Sequence, residues 1–175
     1  MTDMFTTGED VAQAAPQGMA GTAGKAASWL AVRAGGYALL IPLSHAGEVG
    51  VVGDIQALPY VKHWFMGVIN ARGLLSNVID LAAFLDQRAT AGRPESALSR
   101  CQLIRFNPLL QLHSALLVDE IVGMRSIHGF VSAERRQPGE PAYLGAVYID
   151  SGGSRWREVN LQALAADPLF LDIQA

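Results

Sequence analysis

The chain has 175 residues, half of them apolar, 17% charged and a formal net charge of −3, which is enough length for one compact domain or two small ones without covalent staples. Its 13 Lys and Arg are scattered along the sequence, which argues against a nucleic-acid partner. The single cysteine, Cys101, excludes an internal disulfide framework, and neither a secretory leader nor an uninterrupted apolar run of bilayer length is present, so a cytoplasmic protein with no direct membrane insertion is expected.

Residues 1–27 are rich in Ala, Gly, Thr and Gln without a hydrophobic period, and are expected to form a flexible N-terminal tail. The domain proper is expected over 28–172. Residues 29–33 and 37–41 are apolar runs around Gly35-Gly36, a dipeptide that tolerates positive φ and permits a tight hairpin, and Pro42 ends regular pairing. A third short strand is expected over 49–52 and a turn of helix over 59–66. Residues 68–71 and 74–79 read as strands about the corner Arg72-Gly73, with Asp80 placed to cap a helix Leu81–Leu85. Residues 87–99, with Thr, Gly, Pro and Ser and no period, read as a linker.

The order then repeats. Gln102–Phe106, a turn at Asn107-Pro108 and residues 112–118 mirror the first hairpin; Asp119-Glu120-Ile121-Val122 follows as Gly47-Glu48-Val49-Gly50 did, so Glu120 matches Glu48. After 124–127, residues 132–141 read as a long solvated loop, 143–149 and Arg155–Val159 as a closing hairpin, and Asn160-Leu161 opens a helix over 161–166 as Asp80-Leu81 did. The repeat divides the domain into two subdomains, about 28–86 and 101–166, each a small antiparallel β-barrel or sandwich, in an all-β fold with short helices.

Residue patterns that carry chemistry are sparse. Asp150-Ser151-Gly152 is half of an aspartic-protease dyad, which only a homodimer could complete; the remote reading is a dimeric aspartic hydrolase, and a hairpin turn explains the same residues. His45, His63, His113 and His128 lack ligand spacing, Ser44-His45 lacks a nucleophile elbow, and Gly152-Gly153 opens no helix toward a phosphate. No catalytic residue, metal or cofactor is expected; Glu48, Asp119 and Glu120 could form a carboxylate cluster for acid–base work, but each opens a strand at a repeated position and reads as a charged edge residue. The planar guanidinium of Arg72, at a Gly-flanked corner, suits either a tie within its own turn or a partner's carboxylate. Leu30, Leu43, Ala46, Val49 and Ile121 come from both modules and, on composition alone, read as core.

The succession Ile41-Pro42-Leu43 to Glu48-Val49, Gly67-Val68-Ile69-Asn70-Ala71-Arg72-Gly73, Val78-Ile79-Asp80-Leu81 and Leu117-Val118-Asp119-Glu120-Ile121-Val122-Gly123 resembles the CheW-like coupling-protein family, over nearly the whole stretch 28–171. The ending, Arg155-Trp156-Arg157-Glu158-Val159-Asn160-Leu161 through Asp167-Pro168-Leu169-Phe170-Leu171, is similar to the pilus-associated, twitching-motility branch. The resemblance implies two intertwined five-stranded SH3-like β-barrels and no catalysis. It also implies an adaptor, recruited to membrane-associated receptor arrays, between the cytoplasmic tip of a chemoreceptor (a methyl-accepting chemotaxis protein) and the regulatory domain of a CheA-type histidine kinase; a flagellar chemotaxis adaptor is the alternative. Carried onto matching positions, it implies a receptor groove lined by Leu30, Leu43, Ala46, Val49 and Ile121, with Glu48 and Arg72 as polar contacts. One departure is Asn77, where the family often has Pro; Asn restores a backbone donor at that edge.

Overall fold

The computed structural model of the chain describes residues 28–86, 88 and 93–175, so the expected tail over 1–27 lies outside the described residues. Among the described residues, eleven strands and four short α-helices follow one another: β1 (Ser28–Ala34), β2 (Tyr37–Pro42), β3 (Ala46–Val51), β4 (Phe65–Ala71), β5 (Leu74–Asp80), α1 (Leu81–Leu85), α2 (Glu95–Leu98), β6 (Gln102–Phe106), β7 (Ser114–Val118), β8 (Glu120–Ser126), β9 (Phe130–Glu134), β10 (Leu144–Asp150), β11 (Arg155–Val159), α3 (Leu161–Ala165) and α4 (Pro168–Leu171). No helix among the described residues is long and apolar enough to cross a membrane.

The strands form two sheets, ordered β8-β1-β2-β11-β10-β9 and β3-β6-β7-β5-β4. Each draws on both halves of the sequence. The β1–β2 hairpin is completed by β8 to β11, and β6 and β7 join β3 to β5, through two parallel contacts, β2 with β11 and β5 with β7. This is the expected intertwined pair of SH3-like β-sheets, one of them extended to six strands by β9. The repeat in the sequence is therefore one of local order, and the sheets cut across it.

Side-chain alternation sorts the core into three layers. On β1, Leu30, Val32 and Ala34 join the central cluster between the sheets, whereas Trp29 and Ala31 point the other way, onto Leu40 and Trp156. On β7, Leu116 and Val118 face the centre and Ala115 and Leu117 a third cluster with Ile69, Val78 and Leu103. Strands apolar on both faces read as continuous runs, as 29–32 and 115–118 do. An aromatic group holds the centre: Trp64 meets Phe84 edge-on with centroids 5.1 Å apart and stacks on Phe170 at 6.1 Å. Full burial of a ring such as Phe84 is worth about 2 to 3 kcal/mol.

Local chemistry explains the corners. Asp80 caps α1 as expected, Oδ1 accepting from the amides of Ala82 at 3.1 Å and Ala83 at 3.3 Å, and Asn160 caps α3 through the Ala163 amide at 3.0 Å. The two caps are equivalent in space as well, because their own amides donate to the carbonyls of Trp64 and Tyr143, each at 2.8 Å. At Gly67 the backbone takes φ 134° and a Cβ would stand 2.2 Å from the Gln56 carbonyl oxygen, so close passage of the 56–57 segment requires glycine.

Three expectations are corrected. Residues 59–64 form no helix; they run through turns into β4, and Val61 bridges Gln174 while the Lys62 amide donates to the Ile173 carbonyl, so a strap near residue 175 replaces local helical pairing. The loop expected over 132–141 begins only after β9, which pairs with β10 but is exposed along most of its length and so lacks an alternating apolar signature. The linker expected over 87–99 contains α2. The Asn77 amide, by contrast, uses its restored donor: it reaches the His113 carbonyl at 2.9 Å, where the parallel pairing of β5 with β7 begins.

Candidate partner-binding site

The face of one sheet turned toward the other gathers the apolar candidates. Leu43, Ala46 and Ile121 are half-buried against the central cluster, and Leu30 belongs to it, only 8% exposed. Val49 is paired opposite Ile104, a residue of that cluster, and so lies on the same face, but it sits on an edge strand and is 43% exposed. The edge strand of the other sheet is β8, where Ile121 is paired with Val32 and Met124 with Leu30. Met124 is 73% exposed. An amide–side-chain bond joins the sheets here, with Ile121 N donating to Gln102 Oε1 at 3.0 Å. Leu30, Ile121 and Met124 thus share the inward face of the six-stranded sheet and Val49 that of the five-stranded one, with Leu30 buried and Val49 and Met124 exposed.

The polar candidates stand beside it. β3 bulges between Ala46 and Val49, which puts Glu48 out of the inward alternation, and Arg72 occupies the β4–β5 corner at φ 55°. Arg72 Nη2 donates to Glu48 Oε1 at 3.0 Å across an exposed surface, linking the two edge strands of the five-stranded sheet. Arg72 therefore does not spend its donors on its own turn; there the Asn70 side chain accepts from Gly73 N at 3.0 Å. The equivalent Glu120 also faces an arginine, Arg33, at 3.9 Å.

Other titratable groups serve the framework. Asp119 accepts from Gly35 N at 2.6 Å and pairs with Arg93, which also donates to Asp80 at 3.0 Å. Glu48, Asp119 and Glu120 thus have separate cationic partners and do not form an acid–base cluster. Asp150 is consumed by its hairpin: Oδ1 accepts from Gly152 and Ser154 amides at 3.0 and 2.9 Å and Oδ2 from the Trp156 indole at 3.1 Å. The indole first, then those amides, hold its carboxyl below the usual carboxylate range, an arrangement that suits a turn and leaves no oxygen idle for activating water. His45 ties the 42–46 turn to α3, its Nδ1 accepting from Leu161 N at 3.3 Å, and burial pushes its pKa down against the opposing pull of Glu158.

Residues 28–168 match the family model of the CheW-like domain. The chain belongs to the CheW-like family. Among individual relatives, Protein PilI of Pseudomonas aeruginosa is 30% identical over 149 residues, a match that spans 83% of this chain and 80% of that protein. The scaffolding protein TtCheW of Thermoanaerobacter tengcongensis has a solved structure that superposes with a TM-score of 0.62 at 17% identity, covering 78% of this chain and 85% of that one, a likeness of fold. The resemblance carried by the Gly67–Gly73 block is thus correct.

In this CheW-like chain the candidates separate into an inter-sheet face and an exposed ion pair joined through consecutive residues, Glu48 and Val49. Met124 was absent from the sequence-based set. Its register opposite Leu30 depends on a β1–β8 pairing between residues almost a hundred apart, which no local pattern reports.

Proposed function

We propose that the chain is a non-enzymatic coupling protein that joins the cytoplasmic tip of a chemoreceptor to the regulatory domain of a CheA-type histidine kinase, in the cytoplasm at membrane-associated arrays, and that the system it serves controls type IV pilus twitching motility. The observation that carries this reading is the identity to PilI over most of both chains, added to the family match. The inter-sheet face supports it. A helical tip laid across Val49, Ile121 and Met124 gains affinity from burial, with Leu30, Leu43 and Ala46 shaping the floor, while Glu48 and Arg72 set its orientation. Nothing in this role needs a reacting group, which fits the engagement of Asp80 in a cap, Asp119 in an ion pair and Asp150 in a turn.

Affinity capture of the tagged protein from its own cells, followed by mass spectrometry of what co-purifies, tests the reading. A chemoreceptor and a CheA-type kinase of the pilus system are the expected partners. Flagellar partners instead reassign it to flagellar chemotaxis, and a preparation with neither receptor nor kinase removes the coupling role.

A further inference from the structure

We propose that the cleft beneath the Arg72–Glu48 pair is a binding site for a carboxylate carried on an apolar body. The cleft, about 300 Å³, lies where the end of β6, the start of β7 and the β4–β5 corner converge. Three of its lining groups decide its chemistry: Arg72, Arg105 and His113.

Arg105 is the anchor. It is half-buried on β6, paired in register with Ala115, and makes no ion pair among the described residues, whereas Arg72 is neutralised by Glu48. With two guanidinium groups and one carboxylate in the lining, the cleft carries one positive charge in excess when His113 is neutral. An arginine fork without a carboxylate is matched by a planar two-oxygen anion. Ser114 takes no part: its side chain leaves β7 on the face of Leu116, opposite to that shared by Arg105 and Ala115, and its Oγ is sealed from the cleft. The remaining wall is apolar, with Leu74, Phe106 and Leu112, so a fully hydrated polyanion gains little from entering and a monocarboxylate with a hydrocarbon or aromatic body gains most. Such a group is either a free organic acid or an Asp or Glu side chain flanked by apolar residues on another protein; the site recognises the same chemistry in both.

The inference does not rest on the coupling role. It shares only Arg72 and Glu48 with the receptor contacts proposed above, and its test uses neither. The probes are phenylacetate and a capped Leu-Glu-Leu tripeptide, each titrated into isotopically labelled protein while backbone amide shifts are followed by NMR. Saturable shifts centred on Arg105 and His113 are expected. Arg105→Gln is expected to weaken the binding about tenfold or more with the rest of the spectrum unchanged, whereas Arg155→Gln, which removes a guanidinium already paired with Glu134 elsewhere, leaves it unaltered. Ser114→Ala, whose hydroxyl lies on the other face of the sheet, is a second control and is expected to keep both the fold and the affinity. Binding of the tripeptide alone assigns the site to a protein's acidic side chain, and binding of phenylacetate shows that a free carboxylate suffices. Absence of saturable shifts with both probes, or shifts that survive in Arg105→Gln, overturns the site, and neither result bears on receptor or kinase capture.

Discussion

Arg72, at a hairpin corner, donates to Glu48, in the bulge of a strand on the opposite edge of the same sheet, and both side chains remain at least half exposed. An exposed pair of this kind contributes about 0 to 1 kcal/mol to folding, so its conformational role is small and its accessibility to a partner large. Arg72→Glu is expected to leave the melting temperature within a few degrees of the parent and to lower capture of the receptor tip or kinase at least about tenfold, as calorimetric titration would measure. Unchanged binding by a folded variant removes Arg72 from the contact set.

The second arginine bridge behaves in the opposite way. Arg93 and Asp80 have side chains only 14% and 3% exposed, and Arg93 also reaches Asp119, which holds the Gly35 amide. Burial disfavours the charged guanidinium, but the hydrogen bonds and charge of Asp80, then of Asp119, outweigh it and raise its pKa. Arg93→Ala leaves two carboxylates without their cation and is expected to cost about 3 to 5 kcal/mol in urea unfolding. Asp80→Ala is expected to cost a comparable amount, with loss of the α1 cap included, and the double variant much less than the sum. Additive losses would show that the two groups are not coupled.

At Gly67 both conformation and space exclude a side chain, whereas at Gly73, φ 82°, nothing lies within 4 Å of a Cβ. Gly67→Ala is expected to destabilise by about 2 to 4 kcal/mol and Gly73→Ala by about 1 kcal/mol, compared by chemical denaturation. Equal effects would mean that the 56–57 segment moves aside freely.

His45 gives a pH dependence of definite sign. Its folded pKa lies below the ordinary 6.5, because burial penalises the imidazolium, so between the two values the unfolded chain binds more protons. Its contribution to stability is therefore fully present above 6.5 and is lost as pH falls toward the folded value. In urea titrations at pH 7.5 and 5.5 the parent is expected to lose more stability than His45→Gln does, and identical losses would exclude His45 as the cause.

Where an element depends on its neighbours in sequence, it was legible there. Asp80 before an apolar run marked the α1 cap, Arg72-Gly73 and Gly35-Gly36 marked corners, and the order of signals revealed both the repeat and the family. Elements that answer to distant groups were not. The 59–64 segment pairs with the last residues of the chain, β9 is an edge strand with little apolar alternation, and Arg93 sits in a polar stretch whose two carboxylate partners are 13 and 26 residues away. The apolar half of the candidate site was legible only through the family resemblance, because Leu30 and Ile121 look like any core residue until β1 and β8 are paired.

The exchange of strands between sheets also sets the order in which the molecule can be completed during synthesis. All five strands of β3-β6-β7-β5-β4 have been made once Val118 is present, whereas β11, which lies between β2 and β10, ends at Val159. A nascent chain therefore carries β2 with one edge unpaired until β11 has been made, an invitation to association with other chains. Loss of β11 would accordingly expose an edge of β2, a strand made long before it.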